Sequence, residues 1–394
     1  EKPSLVLKTV DRIIDGFADL GINHAGKVAG ISLLVSLVAL AGVLQIRFEH
    51  NPLAWYPEDN PLRQGIELVD ERMDGSMIAA ITLNTGEKNA LHDPALLNVI
   101  DEIETLLKTF RYADVQVNDA SSILTVLKET HQALNDNDPA YFAIAQDRQM
   151  IAQELLLFES GSDDLYDFAD HDLSIARIDM RLRWSNVLYY RDYVKLIKGE
   201  IESLLQQRGM GHIEVKVVGL LPIFGETLYN LLLDTIKSYG MAFAFVFLIM
   251  WMLMASLRHG LIAFAPNVFP ILLTVGLIGW LDVPLNIITS TIGCIIIGIS
   301  VDDTIHFMHH FRRYAQQTDD IRKAIHQTLH TCGRAIFFTS VVLIGGFIVH
   351  LTGELYTNKE FGWLLSIAIF VALLANLILA PALMMLFWKN KAAG

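Results

Sequence analysis

Apolar residues gather into six long runs, at about Val28–Ile46, Ser238–Ser256, Leu261–Leu281, Leu285–Met308, Ala335–Leu351 and Phe361–Trp388. A helix that crosses a bilayer needs roughly 20 mainly apolar residues, so each run predicts one transmembrane helix. The last run is long enough to tilt or to extend past the membrane. Ahead of the first, Val6, Val10, Ile13, Ile14 and Phe17 recur at helical spacing, while Lys8, Arg12, Asp15 and Asp19 fall largely elsewhere. That pattern predicts an amphipathic helix, lying on the inner membrane surface or packed on a neighbour missing from this chain.

Residues 47–237 follow a different rhythm. Ser76–Asn84 is apolar and β-prone, and Ala113–Asn118, Leu173–Trp184 and His212–Gly219 alternate with period two. Helical patterns fill the intervals at Asp93–Phe110, about Ser121–Leu134 and Arg191–Arg208, with an extra helix near Ala140–Glu159. Asp93-Pro94 has the chemistry of an N-cap followed by proline in the first turn. Strand–helix–strand therefore occurs twice, which predicts two βαβ-containing lobes. The expected fold class is an α-helical membrane protein with an α+β outer domain. Its parts are a surface helix and linker (1–27), a first transmembrane helix (28–46), the α+β domain (47–237), five further transmembrane helices (238–388) and a short tail (389–394).

Composition agrees with a membrane protein carrying a soluble part: 53% of the 394 residues are hydrophobic and 19% charged. Formal net charge is −13, which argues against nucleic acid as a partner. The acidity resides in 47–237, with 17 Lys and Arg against 32 Asp and Glu. Cys294 falls in an apolar helix and Cys332 in a basic loop, so no disulfide framework is indicated. Lysine and arginine set the orientation. With the N-terminus inside, the inner segments carry Lys2, Lys8, Arg12, Lys27, Arg258, Arg312, Arg313, Arg322, Lys323, Arg334, Lys389 and Lys391, and the short outer loops carry Lys359 alone. Both termini then face the cytoplasm, and 47–237 faces outward.

The candidate chemistry is concentrated in the fourth run, where Asp302 and Asp303 interrupt an otherwise apolar helix. A charge near the bilayer centre costs at least ~2.5–3.5 kcal/mol, and ionisable groups there mark ion or proton paths. Adjacent helical residues point about 100° apart, so one carboxylate is expected to face a neighbouring helix and the other an interface with a second repeat. His306 shares their face at i+4 and i+3. Thr339, Ser340 and Asn376 are candidate polar partners on later helices, with ordinary interhelical or backbone hydrogen bonding as the plainer role. Asp302, His306 and His310 fall on one stripe that could ligate zinc, but His309 and His310 approach the inner interface beside Arg312, and no metal is expected. An intramembrane aspartyl protease would need carboxylates on two helices; both lie on one here, and no enzyme activity is expected.

Gly298–Tyr314 (GISVDDTIHFMHHFRRY) resembles the fourth transmembrane helix of a repeat in the resistance-nodulation-division (RND) superfamily, near the MMPL and hopanoid-transporter branch. Phe48–Gln64 (FEHNPLAWYPEDNPLRQ) is similar to the same branch, as is the layout of one helix, an outer domain and five helices. The resemblance implies a proton-driven exporter of hydrophobic or lipid-like molecules in a bacterial inner membrane. Protons would be the coupling ion, with no other cofactor. It also implies that this chain is the C-terminal repeat, completed by an N-terminal repeat or by a second copy of itself. Asp302, Asp303 and His306 would form the relay; no substrate-binding residues are indicated. The alternatives are a Patched-like sterol or lipid sensor without net transport and a Sec-type export accessory subunit.

Overall fold

A computed structural model describes residues 5–161, 163–318 and 320–388. Lys2, Lys389, Lys391 and the expected tail 389–394 lie outside the described residues. Residues 1–50 with 232–394 form one compact unit, and residues 51–231 form another.

Among the described residues, six helices are long and apolar enough to cross a membrane: Ala25–Val43, Leu220–Met254, Leu257–Trp280, Ile287–Ala315, Ile321–Thr352 and Tyr356–Phe387. The helix containing the second run begins at Leu220, well before the apolar stretch itself. The fifth includes α11 (Ile321–Thr328), a π-helical turn at Leu329–Gly333 and α12 (Arg334–Ile348). Cys332, expected in a loop, therefore sits inside a continuous helical segment. α1 (Leu5–Asn23) turns Val10, Ile14, Ala18 and Ile22 into the helical core, so its apolar stripe packs on helices of its own chain.

Close helix approach is built where glycines meet backbone. Gly42 of α2 (Ala25–Val43) faces Gly276 and Gly279 of α9 (Leu257–Trp280) so tightly that a Cβ on any of the three would strike the opposite main chain. The Trp280 indole donates to the Val38 carbonyl at 2.9 Å, and Arg47 pairs with Asp282 beyond the helix end. Of the glycines that stand out in the fourth and fifth runs, Gly293 abuts the Tyr239 ring, but Gly298, Gly345 and Gly346 face open space. Helical spacing alone does not reveal which face meets a neighbour.

The second unit is built on one five-stranded sheet in the order β2-β3-β4-β1-β5, with every neighbouring pair antiparallel. Its strands are β1 (Met77–Asn84), β2 (Arg111–Tyr112), β3 (Val115–Ser121), β4 (Ile175–Leu182) and β5 (Glu214–Gly219). The first strand–helix–strand unit runs from β1 through α4 (Pro94–Thr109) to β3, leaving a gap that β4 fills. The second runs from β4 through α7 (Tyr190–Gln207) to β5, and β1 fills its gap. The two βαβ units thus interlock in a split-βαβ, ferredoxin-like sheet instead of forming two lobes. Of the aromatics in this unit, Tyr190 and Tyr193 are fully buried. α3 (Pro61–Arg72) and the short β2 add to the pattern read from sequence; Asn60 caps α3 by accepting from Leu62 N at 2.9 Å.

Glu104 on α4 accepts a 2.5 Å hydrogen bond from Ser122, the N-cap of α5 (Ile123–Leu134). Burial pushes the Glu104 carboxyl above its usual value of 4.5, against the lowering pull of Ser122 and two lysines. A carboxyl harder to ionise when folded withdraws stability as pH rises through the window above its unfolded value. Glu104→Gln should therefore gain thermal stability relative to the native chain as pH is raised from about 4 to about 7. Unfolding curves across that range check the sign.

Candidate functional site

α10 (Ile287–Ala315) carries the paired carboxylates about half-way along its 29 residues. Its N-terminal end is fixed by a capping box: Asn286 accepts from the amides of Ile288 and Thr289, and Thr289 Oγ1 accepts from Asn286 N at 2.8 Å. Its other end places Arg312 and Arg313 in the last turn, where the helix dipole favours cations.

The two carboxylates diverge as their spacing requires. Asp303 is 8% exposed, whereas the side chain of Asp302 is 75% exposed. Both border a cavity of about 690 Å³ between α10 and the π-turn–α12 segment, shared with His306, His310, Cys332 and Thr339. His306 Nε2 lies 3.7 Å from Asp302 Oδ1 across one helical turn. Among the described residues no basic group pairs with Asp303. The His310 ring stacks near Tyr314, and its Nδ1 is buried without a hydrogen-bond partner. Asp302, His306 and His310 do not gather their donor atoms closely enough to share an ion.

The remaining candidates separate into two places. Thr339 lines the cavity, its hydroxyl donating to the carbonyls of its own helix at Ala335 and Ile336 (2.9 and 3.0 Å). Ser340 is buried and does not line it. Asn376 lies in a second π-helical turn, Ala375–Leu379, and belongs to a buried polar node beside the cavity. There the Thr304 hydroxyl reaches Asn376 Oδ1 at 2.8 Å and Asn267 Oδ1 at 3.1 Å, and Ser300 reaches Asn267 at 3.1 Å. All four residues are at most 1% exposed, and Asn376 Nδ2 has no partner. Thr304 directly follows Asp303, so this node meets the buried carboxylate through the α10 backbone. Asn267 and Ser300 are functional candidates that sequence reasoning missed. The available signal was an asparagine between Pro266 and Pro270, two residues that interrupt the α9 hydrogen-bond ladder.

The AcrB/AcrD/AcrF family model matches residues 228–394, the segment that holds the cavity, both carboxylates and the polar node. The match, over less than half of the chain, supports a likeness of that segment to RND-superfamily permeases. The chain has a relative in Methanocaldococcus jannaschii, named only as a membrane protein, with 22% identity over 368 residues; the match covers 90% of this chain and 89% of that one. The human protein dispatched homolog 3 is 30% identical over 98 residues, which covers 25% of this chain and 7% of that protein. The mouse counterpart matches over the same length with the same identity.

Proposed function

We propose that this chain is one RND repeat, half of a proton-driven exporter of hydrophobic or lipid-like molecules. The observation that carries the reading is the split environment of the carboxylate pair: Asp303 buried with no basic partner among the described residues, Asp302 open at the same depth of the helix about 100° away. A carboxyl at that depth can take a proton from one side and release it to the other as the helices around it rearrange. Left facing hydrocarbon, Asp302 would cost at least ~2.5–3.5 kcal/mol, so the α10–α12 face calls for cover. Val342 is 72% exposed on this side of α12, and the open glycines Gly345 and Gly346 lie one turn further along. A second repeat, from an N-terminal segment or from another copy of this chain, would supply that cover. Thr339 and His306 would then hold water or the opposing repeat's polar groups at the cavity.

Hydrophobic cargo is supported by a second cavity of about 390 Å³ with an almost wholly apolar surface, bordered by Phe48, Tyr239, Phe243, Ile271 and Leu285 among others. The basic bias of the inner segments supports placing both ends of the chain in the cytoplasm and the acidic α+β unit in the periplasm of a bacterial inner membrane. The test uses the complete transporter in vesicles, with a fluorescent lipid-like amphiphile and an imposed pH gradient. Flux should follow the gradient and stop with a protonophore. Saturable binding that ignores the gradient would overturn the exporter reading in favour of a lipid sensor.

A further inference from the structure

α1 lies antiparallel to the segment α11–π-turn–α12, and four polar rungs join them. Asn23 accepts from Arg322 at 2.9 Å, Asp19 faces His326 Nε2 at 3.6 Å, Asp15 faces His330 Nε2 at 3.0 Å, and Asp11 takes both arms of Arg334 at 2.5 and 2.6 Å. Each step is four residues on both helices, so the rungs keep one register through the π-turn. The outer rungs carry permanently charged arginines. The Arg334 fork holds the Asp11 carboxyl below its usual range. The inner rungs are different in kind: they offer two imidazoles one helical turn apart, facing two carboxylates one helical turn apart.

From this arrangement we infer a divalent transition-metal site of the zinc class, formed by Asp15, His326 and His330, with Asp19 or a water molecule as the fourth ligand. One donor atom from each of the first three already lies within 4.8 Å of the others. Tetrahedral zinc holds nitrogen and oxygen donors at about 2.0–2.2 Å, so modest side-chain rotations close the site without moving either helix. Two histidines and a carboxylate are the donor types that borderline metals select over calcium or magnesium. The side chains are 37% to 59% exposed, counting Asp19, so an ion can enter. The flanking cations are engaged by Asn23 and Asp11 rather than directed at the site. A bound ion would staple α1 to the segment whose Thr331, Cys332, Ala335 and Ile336 line the carboxylate cavity. The site stands apart from the relay residues and does not depend on the exporter reading.

The experiment is a titration of the full chain in detergent with Zn²⁺ by calorimetry and with Co²⁺ by visible absorption. One ion per chain should bind with the d–d spectrum of tetrahedral nitrogen and oxygen ligation, and Zn²⁺ should raise the unfolding temperature. His330→Asn and Asp15→Asn each remove a ligand and should weaken binding by about 100-fold or more, at or beyond the upper end for loss of an outer-shell partner, and remove the thermal shift. Arg322→Gln, which cuts an outer rung, should leave affinity unchanged. The two ligand variants are each read only where the metal-free protein keeps native helicity. Binding that survives both ligand substitutions, as it would at His306 and His310, overturns the inference. So does an absence of stoichiometric binding in the native chain, which leaves the inner rungs as ion pairs only.

Discussion

Asp303→Asn will abolish gradient-driven flux in the complete transporter while leaving the protein folded. Asparagine keeps the shape and most of the hydrogen-bonding capacity of aspartate but cannot carry a proton, so the loss should be about 100-fold or more, the scale of a removed proton-transfer group. Folding should not suffer. Asp303 is buried, and among the described residues it has no basic partner; removing an uncompensated buried charge is neutral or stabilising. Asp302→Asn should also impair flux, because the residue borders the same cavity, but its exposure and its neighbour His306 leave other routes for a proton. The measurement is flux in vesicles under an imposed pH gradient, with binding of the amphiphile recorded in parallel. Full flux in the Asp303 variant would remove the carboxylate from the coupling mechanism. Lost flux with retained binding would place it there.

How far the sequence announces this arrangement depends on the range of the interaction. Features set within one helix are legible: the six apolar runs, the Asp93 cap, and the divergence of Asp302 and Asp303 follow from composition and from about 100° per residue. Features set by a distant partner are not. The period-two strands in residues 47–237 are visible, but alternation does not say that β4 enters the gap between β1 and β3, so one interlocked sheet reads as two lobes. The same holds inside the membrane unit. Thr339 and Ser340 are adjacent in sequence, yet only Thr339 reaches the cavity, because the face of α12 is fixed by its neighbours. Asn376 was visible as a lone amide in an apolar run. Asn267, which shares the Thr304 hydroxyl with it, has the same signal, masked by the prolines on either side that read as helix breakers.

Glycine shows that difference most sharply and carries the second large effect. Gly279→Leu should cost the full-length chain about 3 kcal/mol or more, at or beyond the upper end of overpacking. The added side chain would meet the Gly42 carbonyl on α2, and main chain cannot rotate aside as a flexible side chain can. To admit it, α2 and α9 must separate along a contact that also holds Ala39, Gly42, Gly276 and Trp280. Helix association in a membrane rests on such close packing, since lipid is as apolar as leucine. Gly345→Leu is the matched control. Nothing lies within 4 Å of a Cβ there, so the isolated chain should unfold at the native temperature. If the α12 face is covered by a second repeat, the same substitution should instead disrupt assembly of the complete transporter. Thermal unfolding and size-exclusion chromatography in detergent, run on both variants, read the two effects separately. Equal destabilisation of the single chain by both substitutions would contradict the packing described for α2 and α9. A Gly345 variant that assembles normally would move the second repeat to another face.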